Sequence, residues 1–357
     1  MVGYSLSASN RRTFLKSIGV AATAAIAGCT EDVSIGSESN NTGGSGYGID
    51  PVTFIVPFGA GGGVDRSTRQ IQPYFEENLG VKIKPEYKPG AGTQIGTQAV
   101  LNGRPDGGTI GAASIPAFDF TMLVGGAEYS MSDFTWIGNL LEDPGLLRAH
   151  KNDDRFDTVE DVFNYAKQNP GELKVSTSGP YNQNVLGLAL LQEATGAKFN
   201  IVPYDGGSAS RGALVKREVD LVHANVFNSL GTADSTRVLA VHADENKWGQ
   251  LTDDAPTFSD ALGFDQSAVP PSAPQVRYAW FTSAKVEEQH SDRIEQLRTA
   301  FEKSIKSDQY VQDLKEKNPP IDTQVAYYSG EETAQMNEEK HNQLKEYLDL
   351  MEKAVDQ

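Results

Sequence analysis

Between Val52 and Ala113 the chain alternates buried strands with glycine-rich turns that open helices, which leaves few folds available to it. Val52-Thr53-Phe54-Ile55-Val56 is β-branched and aromatic, the composition of a strand covered on both faces. It enters Pro57-Phe58-Gly59-Ala60-Gly61-Gly62-Gly63-Val64-Asp65, then a helical pattern through about Leu79, with Gly80 as the stop. Val81 to Glu86 reads as a second strand. Lys88-Pro89-Gly90-Ala91-Gly92-Thr93 is another glycine turn, opening a helix to about Leu101. After Pro105-Asp106-Gly107-Gly108, Thr109-Ile110-Gly111-Ala112-Ala113 forms a third strand. Strand–helix–strand spacing this short implies a parallel sheet with right-handed crossovers. The grammar restarts with helix 159–168, strand 173–177, helix 185–195, strand 199–202, a helix from Arg211 to Lys216 and strand 219–224. Two α/β units in series predict two lobes. Polar-faced helices over 291–306, 309–317 and 330–355 would cover an existing sheet.

The turns at 59–63 and 90–92 carry the chemistry. Each lies between a strand and a helix, where unpaired N–H groups and the helix dipole favour an anion. Glycines at 59, 61, 62 and 63 let a ligand come close to the backbone, and Asp65 is placed to cap the following helix. Val64 stands where a dinucleotide fingerprint needs its last glycine, and no Lys-Ser/Thr follows to make a phosphate loop. Either turn alone is a tight turn. Two at the carboxyl ends of one sheet point to a binding cleft.

Residues 9–29 give an address. Arg11 and Arg12, with Phe14, Leu15 and Lys16, form a twin-arginine export signal. The apolar stretch from Ile18 to Ala27 is about half the length of a membrane span, so residues 1–28 read as a signal. Ile26-Ala27-Gly28-Cys29 has the form of a lipobox, with lipid added at Cys29; the plain alternative is a small-residue cleavage site beside a chance cysteine. Cys29 is the only cysteine, so no intrachain disulfide forms and the core alone must hold the fold. Residues 29–48 read as the lipidated cysteine followed by a flexible linker, since 34–48 is Ser, Gly, Asn and Thr with almost nothing to bury. About fifteen such residues reach on the order of 20 Å. One lipid chain holds only marginally, so stable anchoring needs two. The expected location is the outer face of the cell membrane.

Without Arg11, Arg12 and Lys16 the mature chain carries 28 Lys+Arg against 48 Asp+Glu, a net of −20. That sign excludes nucleic acid as a partner and docking on anionic lipid heads. It points to an exported, haloarchaeal protein whose self-repulsion is screened by salt; the plain alternative is a soluble acidic protein. Catalytic constellations are not evident. The five histidines show no metal-ligand spacing, no Gly-x-Ser-x-Gly elbow occurs, and Cys29 is taken by the anchor. His223, in an alternating strand, reads as a packed or rim histidine, or as a cleft residue. Arg148 reads as a surface charge, or as a carboxylate partner if its strand crosses between lobes.

Ile55-Val56-Pro57-Phe58, Ala60-Gly61-Gly62 and Asp65 resemble the opening motif of the receptors of tripartite tricarboxylate transporters, the Bug or tricarboxylate-receptor family. The resemblance continues through Lys88-Pro89-Gly90-Ala91-Gly92, Ile95-Gly96, Pro105-Asp106-Gly107, Asp133-Phe134-Thr135, Ile137-Gly138, Ser178-Gly179, Val202-Pro203-Tyr204, Gly206-Gly207, Val238-Leu239-Ala240-Val241, Pro256-Thr257 and Trp280, from about 51 to 320. It implies an α/β, two-lobed type II periplasmic-binding-protein fold with a ligand cleft between lobes, 49–148 plus 277–357 forming the first lobe and 149–276 the second. It implies a small carboxylic acid as ligand, delivery to large and small membrane subunits, no catalysis, and neither cofactor nor metal. Carried over residue by residue, the ligand carboxylate meets the backbone of Ala60, Gly61 and Gly62, with Phe58 as an apolar wall and Asp65 as a helix cap or a holder of water. Gly90, Ala91 and Gly92 form a second wall, and Ser114 adds a hydroxyl. Thr177, Ser178, Gly179 and Asn182 face them from the second lobe, with Tyr204, Gly206 and Asn225 closing the floor. Few direct side-chain charges are expected. Gly63, Tyr87-Lys88 and Tyr181 depart from the family pattern, and a Tyr181 ring would shrink the distal pocket or offer its own hydroxyl.

A receptor that now signals to a sensor partner would carry the same features. An anchored hydrolase or transferase using the turns as an oxyanion site would lack a base, a metal cluster and a nucleophile. The charge generates the first prediction. Melting temperature should fall as salt is diluted from molar to ~0.1 M, because unscreened carboxylates repel; a flat curve counts against a halophilic surface.

Overall fold

The computed structural model describes residues 46–355. Their elements run in order β1 (Val52–Val56), α1 (Gly63–Leu79), β2 (Ile83–Tyr87), α2 (Gln94–Leu101), β3 (Thr109–Ile115), α3 (Ala117–Leu123), β4 (Phe134–Asp143) and β5 (Gly145–His150). There follow α4 (Val159–Gln168), β6 (Lys174–Thr177), α5 (Gln183–Thr195), β7 (Asn200–Pro203), α6 (Gly207–Val215), β8 (Leu221–Asn225), β9 (Thr236–Val241), α7 (Gly249–Thr252) and α8 (Phe258–Leu262). The chain ends with β10 (Val276–Ser283), α9 (Ala284–Gln289), α10 (Ser291–Ile305), α11 (Asp308–Lys315), β11 (Val325–Ser329), α12 (Gly330–Glu346) and α13 (Leu348–Val355). The signal at 1–28 and Cys29 lie outside the described residues, as does most of the 29–48 linker.

Two sheets result, one per lobe, as the two α/β units led us to expect. The first has the order β11-β4-β10-β3-β1-β2 and the second β7-β6-β8-β5-β9. Neither is purely parallel. β1 runs parallel to β2 and β3, but β10 is antiparallel to both β3 and β4, and β11 to β4. In the second sheet β6 runs parallel to β7 and β8, while β5 is antiparallel to β8 and β9. β4 and β5 flank the first lobe crossing and β10 follows the second, while β11 joins the β4 edge later, after α11.

β10 explains why the first sheet sits where it does. All eight of its residues are buried, so successive side chains fill cores on opposite faces. Trp280 lies 4.6 Å from the Phe54 ring, 5.0 Å from Phe75 and 4.9 Å from Phe301, locking β1, α1 and α10 onto one face. Phe281 faces the other way, against Phe118, Phe134 and Trp136. Aromatic pairs of this kind add about 0.5–1.5 kcal/mol each beyond burial.

The lobe boundaries differ from those expected. Only Pro144 separates β4 in the first sheet from β5 in the second, so Arg148 already belongs to the second lobe. The last helix does not stay with the first lobe either. α13 packs on α5, with Met351 and Ala354 buried among Val185, Leu188 and Leu191, because its apolar stripe finds cover only there. Arg148 is 1% exposed and donates to Ser229 Oγ at 2.9 Å and Thr236 Oγ1 at 3.0 Å. It is therefore a buried structural cation, not a surface charge.

Candidate functional site

The turn after β1 bends because Asp65 folds back over it. Asp65 Oδ2 accepts from the Gly61 amide at 2.7 Å, and Oδ1 accepts from the Tyr87 hydroxyl at 2.7 Å and Arg69 Nε at 2.9 Å. Burial would raise this carboxyl, but the Gly61 amide, Tyr87 and Arg69 hold it below the ordinary carboxylate range. Asp65 thus caps the loop and not the helix. The N-cap of α1 is Gly62, which has no side chain to offer. Gly61 spends its amide inside the protein, and the amides of Gly63 and Val64, in the first turn, have no intrahelical acceptor. Phe58 is half-buried on the first-lobe core, while Ala60 and Gly61 stand exposed.

Gly63 has a packing reason. A Cβ there would come within 2.1 Å of Asn228 Oδ1 and 2.2 Å of the Tyr278 hydroxyl. Asn228 belongs to the second lobe, so only a glycine lets the α1 N-terminus approach it. Asn228 Nδ2 donates to Tyr278 Oη at 2.7 Å, and Arg66 Nη2 donates to Asn228 Oδ1 at 3.1 Å. The second turn is pinned to the first at Gly96, where a Cβ would meet Pro57 Cβ at 2.6 Å. Gly90, Ala91, Gly92 and Thr93 all adopt positive φ, which for Ala91 and Thr93 stores backbone strain. Thr121 Oγ1 holds this loop by donating to the Gly92 carbonyl at 2.7 Å. Ser114 sits directly opposite Tyr278 in the β3–β10 ladder, so both side chains share one sheet face.

In the second lobe several expected ligand groups are committed to structure. Asn182 caps α5, its Oδ1 accepting from Asn184 N at 2.8 Å and Val185 N at 3.2 Å, while its Nδ2 donates to the Gly179 carbonyl. Thr177 is fully buried and donates to that same carbonyl. Asn225, 3% exposed, donates to the carbonyls of Asp143 at 2.9 Å and Pro274 at 3.3 Å, stapling both lobe crossings together. Ser178, Gly179, Tyr204 and Gly206 remain partly or wholly accessible. Ser178 Oγ donates to Asn184 Oδ1 at 3.3 Å. Tyr181 is 36% exposed on the same loop. His223 lies behind this surface: it is buried, its Nε2 2.9 Å from His242 Nε2, and desolvation pushes it down to about 3, so both rings are neutral.

Residues that sequence reasoning missed complete the surface. Asp143, at the end of β4, accepts from the amides of Phe227 at 2.9 Å and Asn228 at 3.0 Å. Burial pushes its carboxyl up to about 7, against the pull of those amides, Arg211 and Arg66. Arg211 lies in α6, which starts at Gly207, earlier than the expected 211. α6, like α1, opens on a glycine with no side-chain cap. The available signal for Arg211 was its place just after the Gly206-Gly207 turn. For Asn228, Tyr278 and Asp143 no local pattern existed, since their roles arise from pairing distant segments.

Comparison with known proteins follows this geometry. A family model described as the tripartite tricarboxylate transporter family receptor matches residues 67–352. A UPF0065 protein of Bordetella pertussis is 29% identical over 180 residues, 50% of this chain and 55% of that one. The chain spans only 55–63% of the length of such curated relatives. Among solved structures, an R. palustris protein with adipate has TM-score 0.72 at 23% identity, covering 84% of this chain and 96% of that one. MatC from Rhodopseudomonas palustris with bound malate has TM-score 0.68 at 20% identity, covering 85% and 99%. At these identities the likeness is one of fold.

The two carboxylates generate a pH prediction of opposite signs. Asp65, held low, contributes stability at neutral pH that is lost as pH falls through its folded value. Asp143, held high, favours the folded state in acid; that contribution is lost as pH rises from about 4 through about 7. In urea unfolding, Asp65→Ala should cost about 1–3 kcal/mol at pH 7 and blunt the acid limb, whereas Asp143→Asn should flatten the curve between pH 4 and 7. Unchanged pH profiles in both variants would refute these assignments.

Proposed function

The chain belongs to the tripartite tricarboxylate transporter receptor family, whose members are substrate-binding receptors and not enzymes, and on that premise we propose that it is an exported receptor for a small organic carboxylate. The ligand is held in the cleft between lobes and handed to the large and small membrane subunits of a tripartite transporter. One observation carries the reading: α1 and α6, one from each lobe, open on glycines with no side-chain cap. The lobes meet beside them, through Arg66, Asn228 and Tyr278. Unspent amides at two helix N-termini are suited to an anion.

The roles within the site follow from which groups are left free. The exposed turn at Ala60 and the first amides of α1 take the proximal carboxylate, with Phe58 as the wall. The strained 90–93 turn closes one side. Ser178, Gly179, Tyr204 and Gly206 supply the second lobe's hydroxyls and amides. Asn182, Thr177, Asn225 and Asp65 act behind them as positioning residues. Malate and adipate, bound by proteins of this fold, make dicarboxylates the first ligands to try. The full chain in molar salt should be stabilised by a bound carboxylate by about 2.7 kcal/mol at a hundredfold excess over Kd, read as a thermal shift across mono-, di- and tricarboxylates. No shift with any of them would defeat the proposal.

The twin-arginine signal and the lipobox-like Ile26–Cys29 support export followed by lipid anchoring at Cys29. Cys29→Ser should release the protein from washed membranes without changing its melting temperature. Equal retention of both forms would show that Cys29 is not the anchor.

A further inference from the structure

Every arginine among the described residues except Arg211 has a hydrogen bond or an ion pair to the protein. Arg211 has neither. The side chain is half-buried, so the charge has lost part of its hydration without gaining a partner, an arrangement that costs free energy.

Its position is defined by what surrounds it. The guanidinium curls back over the N-terminus of α6: Nη1 lies 2.7 Å from where a Gly207 Cβ would stand, and Ser178 Cβ lies 3.8 Å from that same point. Arg211 therefore abuts the half-buried 178–179 turn. It is also within electrostatic reach of Arg66 on α1, and of Tyr278 and Asp143 at the lobe crossing. Asp143 attracts it but forms no ion pair or hydrogen bond with it, and its oxygens accept the amides of Phe227 and Asn228. Arg66 is a second guanidinium on the facing lobe, and two like charges facing one gap repel.

We propose that Arg211 is a specificity-determining residue that binds the distal carboxylate of a dicarboxylate whose proximal carboxylate sits at the N-terminus of α1. The planar fork suits bidentate carboxylate binding, and a dianion between the lobes removes the repulsion between Arg211 and Arg66. A monocarboxylate of equal length would leave Arg211 unpaired. This inference rests on the carboxylate-receptor reading and adds the chain length and charge that the site prefers.

The test is calorimetry on the full chain at one fixed salt concentration, with succinate against butyrate and adipate against hexanoate. Wild type should bind at least one dicarboxylate more tightly than its matched monocarboxylate. Arg211→Gln should weaken that dicarboxylate by about 10- to 100-fold while leaving monocarboxylate affinity within about threefold. Arg211→Lys, which keeps charge without the fork, should fall between, and it carries the test if Arg211→Gln does not fold. If wild type binds none of the four, this inference falls, and the receptor reading is decided by the thermal-shift series that includes tricarboxylates. If wild type binds a dicarboxylate and the Arg211 variants bind it equally well, the receptor reading stands and this inference falls. Equal loss of both members of a pair would also overturn it, since Arg211 would then not distinguish the second carboxylate.

Discussion

The carboxylate of Asp143 sits where the chain leaves the first sheet, yet its two oxygens receive amides from Phe227 and Asn228, which follow β8 in the second. Much of the cleft depends on that contact. It fixes the turn that presents Asn228, and Asn228 in turn meets Tyr278 on the strand returning from the second lobe. Asn225, three residues before Asn228, ties the carbonyls of Asp143 and Pro274. Both crossings between lobes are thereby held to one short segment. The buried cost of Asp143 is the counterpart of this: its carboxyl is pushed up to about 7 because the crossing excludes water.

Given that frame, the cleft is defined by which polar groups the fold has not already used. Asn182 and Thr177 look like ligand groups in sequence and Asp65 like a helix cap or a holder of water, but each spends its side chain on a neighbouring turn. What they do instead is aim backbone amides. A loop closed by Asp65 and a helix capped by Asn182 present their remaining N–H groups in fixed directions, so no ordering cost falls on the ligand. Gly63 adds close approach. Its missing side chain is what allows a first-lobe helix end to touch a second-lobe asparagine.

The alternation of strand, glycine turn and helix was legible because each signal is local: a β-branched run, a glycine-rich turn, a glycine stop. The two-sheet architecture followed from it. The antiparallel strands were not legible in the same way. β4 and β10 are buried on nearly every residue, so they carry no alternation, and their direction depends on pairing with strands distant in sequence. Arg148 shows the same limit. An arginine in a strand reads as exposed, and only the pairing of β5 with β8 and β9, which brings Ser229 and Thr236 to it, makes burial tolerable. Arg211 was missed for the opposite reason: its meaning lies in having no partner, which no motif encodes.

The overall charge bears on how such a site must work. A chain with a net formal charge of −17, or −20 without Arg11, Arg12 and Lys16, does not draw an anion from a distance, and the dianion proposed here would be repelled more than a monoanion. Screening by salt shortens that repulsion to a few ångströms at molar strength. Discrimination must then arise after encounter, from contacts made only as the lobes meet around the ligand. Amides at the ends of α1 and α6 operate at that range, and so does a guanidinium left free of protein partners. Leaving Arg211 unpaired raises the energy of the empty receptor, and a ligand that pairs it recovers that energy as affinity. The same substitution that quiets the empty site would therefore also erase its preference, which ties selectivity to a cost built into the unliganded fold.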